Sequence, residues 1–176
     1  MVRRSGSASS YRGILARESG LMADISFVTP WLAVGGAIAT EEDVLEILQQ
    51  GITHIVNCRV GVDDNQLLRG RTGYLWDPAP DDRKPKPPRW FIDAITFTKA
   101  AIKDPGAKVL VHCTGGIDRS PSIAYAILRE MGHSEAEAEN AVLSGRPEAR
   151  FPYKRDADAA IRALGSLDSA KKGNAG

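Results

Sequence analysis

The chain predicts an α/β fold: a small mixed central β-sheet flanked by helices on both faces. Three observations carry that prediction. Short β-branched runs alternate with capped, amphipathic helical segments. The chain has no internal repeat period. Its 176 residues, 43% hydrophobic and 26% charged, suit one globular domain with a real core better than a collagenous, coiled-coil or disordered chain.

In order, Trp31 to Val34 reads as a short strand ending at Gly35 and Gly36. Thr40 then caps a helix whose apolar positions Val44, Leu45, Ile47 and Leu48 share one face, and Gly51 stops it. The run Ile52 to Cys58 is β-branched and reads as a buried strand, with a shorter one at Tyr74 to Trp76. Asp77 to Pro88 holds five prolines and is irregular. A helix beginning near Trp90 places Phe91, Ile92, Ala94, Ile95 and Ile102 inward and stops at Asp104-Pro105-Gly106. Lys108 to Val111 is the next strand. Arg119 opens a helix with Pro121 in its first turn, where a missing N–H costs nothing, and Met131-Gly132 closes it. Ser134 to Glu137 is a capping box for another helix, and a last one runs near Asp156 to Leu164.

Residues 1–22, rich in Ser, Gly and Arg, read as a disordered extension, 23–164 as the folded domain, and 165–176 as a flexible tail. Met22 is itself a candidate translation start, which would make the preceding 21 residues an upstream extension. The two tails carry +3 and +1 of a net charge of +1, which leaves the domain at −3 without a basic field for nucleic acid. The longest apolar run, Ile123 to Leu128, has six residues, against about 20 for a membrane span. No apolar stretch follows Arg3 and Arg4, so a secretory signal is not expected and the cytosol is. Cys58 and Cys113 are too few for a disulfide scaffold and read as free thiols. His54, His112 and His133 lack metal-site spacing, so neither a metal nor a cofactor is expected.

Ligands of α/β sheets gather at strand C-termini. After Lys108 to Val111 the sequence reads His112-Cys113-Thr114-Gly115-Gly116-Ile117-Asp118-Arg119-Ser120 and passes at once into a helix. This Cys-x5-Arg loop can curl so that consecutive N–H groups point inward, with two glycines permitting the positive φ required. The helix N-terminus adds its dipole, and Arg119 supplies a planar fork for two phosphate oxygens. Thr114, Gly115, Gly116, Ile117, Asp118 and Arg119 are thus the candidate phosphate-binding residues. The same groups stabilise a thiolate at Cys113, an in-line nucleophile, and Ser120 can hydrogen-bond the sulfur when it leaves. His112 reads as a loop-shaping residue. Ester cleavage also needs an acid and then a base, for which Asp81 and Asp82 in the proline-rich loop are the candidates.

At these residues the sequence resembles the cysteine-dependent dual-specificity phosphatases of the protein tyrosine phosphatase superfamily. The resemblance spans Ile25 to Leu164. It rests on Val111 to Leu128, on Pro30 to Thr40 and Gly51 to Asn57 as opening strand, helix boundary and second strand, and on Gly145-Arg146-Pro147 as a penultimate helix end. It implies a dual-specificity-phosphatase-like fold, a phosphocysteine at Cys113, phosphate binding by Arg119 and the loop amides, help from Ser120, and Asp81 as general acid, with Asp82 and Asp118 as alternatives. Asp118 is a departure, because protein-directed members more often carry a small or polar residue before the arginine. A carboxylate there resembles phosphoinositide phosphatases and some bacterial tyrosine phosphatases; its simpler reading is a helix N-terminal Asp favoured by the dipole. Cys58 lies where some relatives keep a resolving cysteine. Arg83, Lys84, Lys86 and Arg89 form a basic run that reads as a solvated face or as attraction for a second phosphate or an acidic headgroup. The expected partners are accordingly phosphoproteins or phosphorylated small molecules and lipids. The leading function is a phosphatase for phosphotyrosine, and for phosphoserine or phosphothreonine, in proteins. The alternative is a phosphoinositide or inositol phosphate phosphatase. A non-hydrolysing phosphate-binding module and a sulfur-transfer enzyme rank below both.

Overall fold

The computed structural model describes residues 22–173; the extension expected for residues 1–22 lies, Met22 apart, outside the described residues. Five strands form one sheet: β1 (Ile25–Phe27), β2 (Leu32–Gly35), β3 (His54–Asn57), β4 (Gly73–Trp76) and β5 (Val109–His112), in the order β1-β2-β5-β3-β4. Only β1 runs antiparallel, so the sheet is mixed as expected. The helices are α1 (Glu41–Gln49), α2 (Asn65–Leu68), α3 (Pro88–Ala101), α4 (Arg119–Glu130), α5 (Glu135–Gly145) and α6 (Lys154–Gly173).

Side chains that alternate along the strands feed two cores. Val34, Val56, Val109 and Val111 pack on Phe91, Ile95, Ile123 and Ile127 under α3 to α6, whereas Ala33, Ile55 and Leu110 pack on Val44, Ile47 and Leu68 from α1 and α2. Helices cover both faces, though unequally. Thr40 caps its helix and Ser134 forms its capping box as the sequence indicates; the structure shows Thr40 to be a full box as well, each hydroxyl accepting from the N3 amide while the N3 carboxylate accepts from the cap amide.

Two features depart from the sequence reading. Strand β1 went unassigned because three half-buried residues carry no usable period; its pairing of Ile25 with Gly35 and Phe27 with Ala33 supplies the order. The last helix does not stop at Leu164 but continues to Gly173, where the sequence suggested a tail, with residues 165–173 exposed.

The register matters most for function. Gly35, His112, Asn57 and Trp76 lie in one row across β2, β5, β3 and β4. The segments that follow them, starting at Gly36, Cys113, Cys58 and Asp77, therefore leave the sheet along a single edge. No helix among the described residues is long and apolar enough to cross a membrane.

Candidate active site

The loop between β5 and α4 is held from outside. Thr114 O accepts from the Ala37 amide (3.0 Å) and Ile117 O from the Arg150 amide (2.7 Å). Gly115 O and Gly116 O accept from Arg146 Nη2 (3.0 Å) and Nε (2.6 Å). Arg146 is fully buried, and both oxygens of Asp24 accept from its guanidinium (2.9 and 2.8 Å). With the carbonyls engaged outward, the Gly116 N–H turns inward to Cys113 Sγ (3.2 Å). Gly116 has φ of +65°, and a β-carbon there would meet Arg146 Nη2 at 2.3 Å, so only glycine fits. The sequence reading took Gly145-Arg146-Pro147 merely as a helix end and missed this arginine, because its partners lie far away in the chain.

Ser120 Oγ lies 3.3 Å from Cys113 Sγ and 3.2 Å from Gly35 O. The hydroxyl donates to Gly35 O, and its proton can turn to the sulfur when the sulfur is charged. Arg119, 7% exposed, donates through Nη1 to Cys58 O (3.1 Å) and Ala79 O (2.9 Å) and through Nη2 to Thr114 Oγ1 (3.2 Å). Its Nε is buried with no partner. A buried, unsatisfied guanidinium N–H is costly unless an anion uses it. Cys113, the loop and Arg119 are thus brought together as the sequence indicated. His112 does more than shape the loop through its own backbone: it is fully buried, and its Nε2 lies 2.7 Å from Asp64 Oδ2, a carboxylate 48 residues away that the sequence reading did not single out.

The candidate acids separate by partner. Asp82 binds the Lys86 ammonium (2.6 Å) and the Lys84 amide (3.0 Å), and these bonds, Lys86 first, hold its carboxyl below the usual range. Asp118 pairs with Arg83 Nη2 through Oδ2 (2.9 Å); it stands at the N-cap of α4, the helix N-terminal position the sequence indicated, without a side-chain capping bond. Asp81 is exposed, and its Oδ1 accepts from the Tyr153 hydroxyl (2.7 Å), whose own ionisation burial pushes up to about 12. Most of the basic run is paired: Lys86 is buried against Asp82 and the Tyr153 ring, Arg89 meets Asp93, and Arg83 meets Asp118. Arg83, Lys84 and Arg89 stay exposed, whereas Lys86 is withdrawn from solvent.

Cys58 and Cys113 are both free thiols in one apolar cluster. Burial, reinforced by charge at Cys113, pushes the Cys58 thiol well above its ordinary range, which unfits it as a nucleophile.

Asp77 is a buried carboxyl that the sequence reading passed over. It lines a cleft of about 530 Å³ with Trp90 and Asp93, and no lining residue there comes from the phosphate loop. Its Oδ2 has no partner, and burial first, then the Asp93 charge, pushes its carboxyl up to about 7. Unfolded, such a group titrates near 4. Between about pH 4 and 7 the folded chain therefore keeps a proton that the unfolded chain releases, so stability falls as pH rises through that window and stays lower above it. Asp77→Asn is expected to gain about 2 kcal/mol at pH 8, after allowance for solvent at the carboxyl, read as a Tm rise of about 5 °C that vanishes toward pH 4. A gain independent of pH would show that the charge is not its source.

Residues 36–152 match the family model described as the catalytic domain of dual specificity phosphatases. The chain is 37% identical over 102 residues to human dual specificity protein phosphatase 4, an alignment that covers 57% of this chain and only 25% of that relative's length. Human dual specificity protein phosphatase 13B is 32% identical over 126 residues, 69% of this chain and 63% of that one. The crystal structure of human DUSP28 superposes with a TM-score of 0.69 at 25% identity, over 81% of this chain and 99% of that one. With the sulfur, the arginine and the outward-braced loop all standing at one strand end, this chain belongs to the dual specificity phosphatase catalytic-domain family.

Proposed function

We propose that the chain is a phosphatase that hydrolyses phosphate monoesters on proteins, phosphotyrosine first and phosphoserine or phosphothreonine with it, and that it acts in the cytosol. One observation carries this reading: Cys113 Sγ sits within hydrogen-bond range of the Gly116 amide and the Ser120 hydroxyl, beside a buried guanidinium whose Nε has no protein partner. In the first step the Cys113 thiolate attacks phosphorus in line. The P–S bond forms as the ester P–O bond breaks, and Asp81 gives its proton to the departing oxygen. Arg119 and the loop amides hold the equatorial oxygens as charge builds there. In the second step Asp81 takes a proton from water, the water oxygen attacks phosphorus, and the sulfur leaves as a thiolate that accepts from Ser120.

Asp81 suits the acid role because it sits exposed on the loop with a neutral hydroxyl as its partner, whereas Lys86 holds the Asp82 carboxyl below its usual range and the Asp118 side chain is taken up by Arg83. Asp81→Asn is expected to lower kcat for phenyl phosphate by about 10²-fold and for p-nitrophenyl phosphate by much less, since nitrophenolate leaves unaided. Equal losses on both esters would place the acid elsewhere.

The inositol alternative is disfavoured by the internal pairing of Arg83, Lys86 and Arg89. A non-hydrolysing module is disfavoured by the complete set of nucleophile, arginine and serine at working distances. Phosphate release from phosphotyrosine and phosphothreonine peptides, soluble inositol phosphates and phosphoinositide vesicles tests the reading. Peptides turned over at least about tenfold faster support it; the reverse ranking would transfer the function to the inositol class.

A further inference from the structure

We infer that the ion pair between Arg83 and Asp118 is a latch that fixes the crest of the acid loop over the phosphate loop, which makes Arg83 a positioning residue for Asp81. The inference rests on the phosphatase reading above.

The loop is tied at both feet. At one, Ala79 O accepts from Arg119 Nη1 at 2.9 Å. At the other, the Lys86 amide donates to Asp156 Oδ2 at 3.0 Å and the buried Lys86 ammonium holds Asp82. Between these feet the crest carries Asp81, Asp82 and Arg83, and two contacts hold it besides the Lys86 bond to Asp82. The Tyr153 hydroxyl accepts from the Arg83 amide (3.2 Å) and donates to Asp81 Oδ1 (2.7 Å), which couples the two residues through one oxygen. The Arg83 guanidinium reaches Asp118 Oδ2 at 2.9 Å, and Asp118 immediately precedes Arg119 in the phosphate loop.

The backbone gives independent support. Arg83 has φ of +59°, a left-handed conformation that a β-carbon disfavours; apart from it, only Arg69 among the described non-glycine residues has positive φ. Strain of this kind persists only where surrounding contacts over-determine it, and it concentrates at functional sites. Here the conformation lets one residue present its amide to Tyr153 and its side chain to Asp118. The carboxylate is only 12% exposed while the guanidinium is 57% exposed. Asp118 is therefore a fixed, largely dehydrated anchor, and Arg83 is the movable half that salt can loosen.

A latch that places the acid matters only where proton transfer limits the reaction. Arg83→Gly removes the side chain and relieves the left-handed strain, so folding is preserved, which a Tm measurement checks. It is expected to lower kcat at saturating phenyl phosphate about threefold to fivefold at low salt, the upper range of one partly exposed ion pair, while kcat for p-nitrophenyl phosphate stays within about twofold. Arg83→Lys recovers part of the loss, because it restores the charge but not the planar fork. Asp118→Asn loses a similar factor on phenyl phosphate, and the double variant loses no more than either single one. High salt brings the wild type toward the Arg83→Gly value.

A wild type inert toward both esters would overturn the phosphatase reading itself. An active wild type whose Arg83→Gly losses are equal on both esters, or whose single losses add in the double variant, overturns the latch alone. So does a loss in Asp118→Asn that Arg83→Gly does not share, because Asp118 would then act on its own.

Discussion

Cys113→Ser is expected to abolish turnover, with kcat for p-nitrophenyl phosphate falling by at least about 10⁴-fold, the scale on which removal of a covalent nucleophile is felt. Inorganic phosphate should still bind within a few-fold of the wild type. The reason lies in the division of labour at the loop. Its polarity is set by acceptor bonds to Ala37, Arg146 and Arg150, none of which involves the sulfur. A serine hydroxyl thus leaves the anion cradle standing and removes only the nucleophilic sulfur. Steady-state kinetics with calorimetric titration of phosphate check both halves. Residual activity above about one per cent of wild type would point to another nucleophile, for which Cys58 is poorly suited, being wholly buried with its thiol pushed far up. Loss of phosphate binding together with activity would show that the thiolate, and not the loop, organises the cradle.

Arg119→Lys is expected to cost roughly 10³-fold in kcat/KM and to weaken phosphate binding as well. Two charge-assisted hydrogen bonds to the transferring group, each worth about 1.5 to 3 kcal/mol, account for a loss of that order. The structure adds a second cost. Arg119 holds Ala79 O of the acid loop and Cys58 O beyond β3 through the same nitrogen, and Thr114 Oγ1 through the other. An ammonium has no rigid fork with which to grip these acceptors and phosphate oxygens at once. The loss should therefore exceed what charge alone explains and include the leaving-group sensitivity seen on disturbing Asp81. Parallel measurement on phenyl and p-nitrophenyl phosphate shows this; a lysine variant within tenfold of wild type on both would mean that a point charge suffices.

Much of this was legible beforehand because it is local. Strand, Cys-x5-Arg and helix follow one another within about twenty residues, so motif and geometry are nearly the same statement. The caps at Thr40 and Ser134 are legible for the same reason, each bond spanning three residues. The basic run is solvated at Arg83, Lys84 and Arg89, as its composition suggests, but a charge count does not show pairing, and Lys86 is the exception. Lys86 and Asp82 sit at a helical spacing in a segment without a helix, and only the packing of Tyr153 against the loop buries that ammonium. Asp77 escaped notice because its environment comes from Trp90 and Asp93 on α3.

The amino-acid order alone indicated the α/β class, the helix caps, the strand-end cysteine with its arginine and serine, and the acid loop as the place to look for a proton donor. These depend on hydrophobic period, capping chemistry and a short phosphate-loop pattern, all of which act over a few residues. Tertiary structure decided what needs two distant segments to meet: β1 beside β2, Asp64 under His112, Arg146 with Asp24 behind Gly115 and Gly116, and Tyr153 and Asp118 on the crest of the acid loop. The physical reason is that a buried polar group takes whichever partner the fold brings within about 3 Å, and spacing along the chain carries no record of that choice.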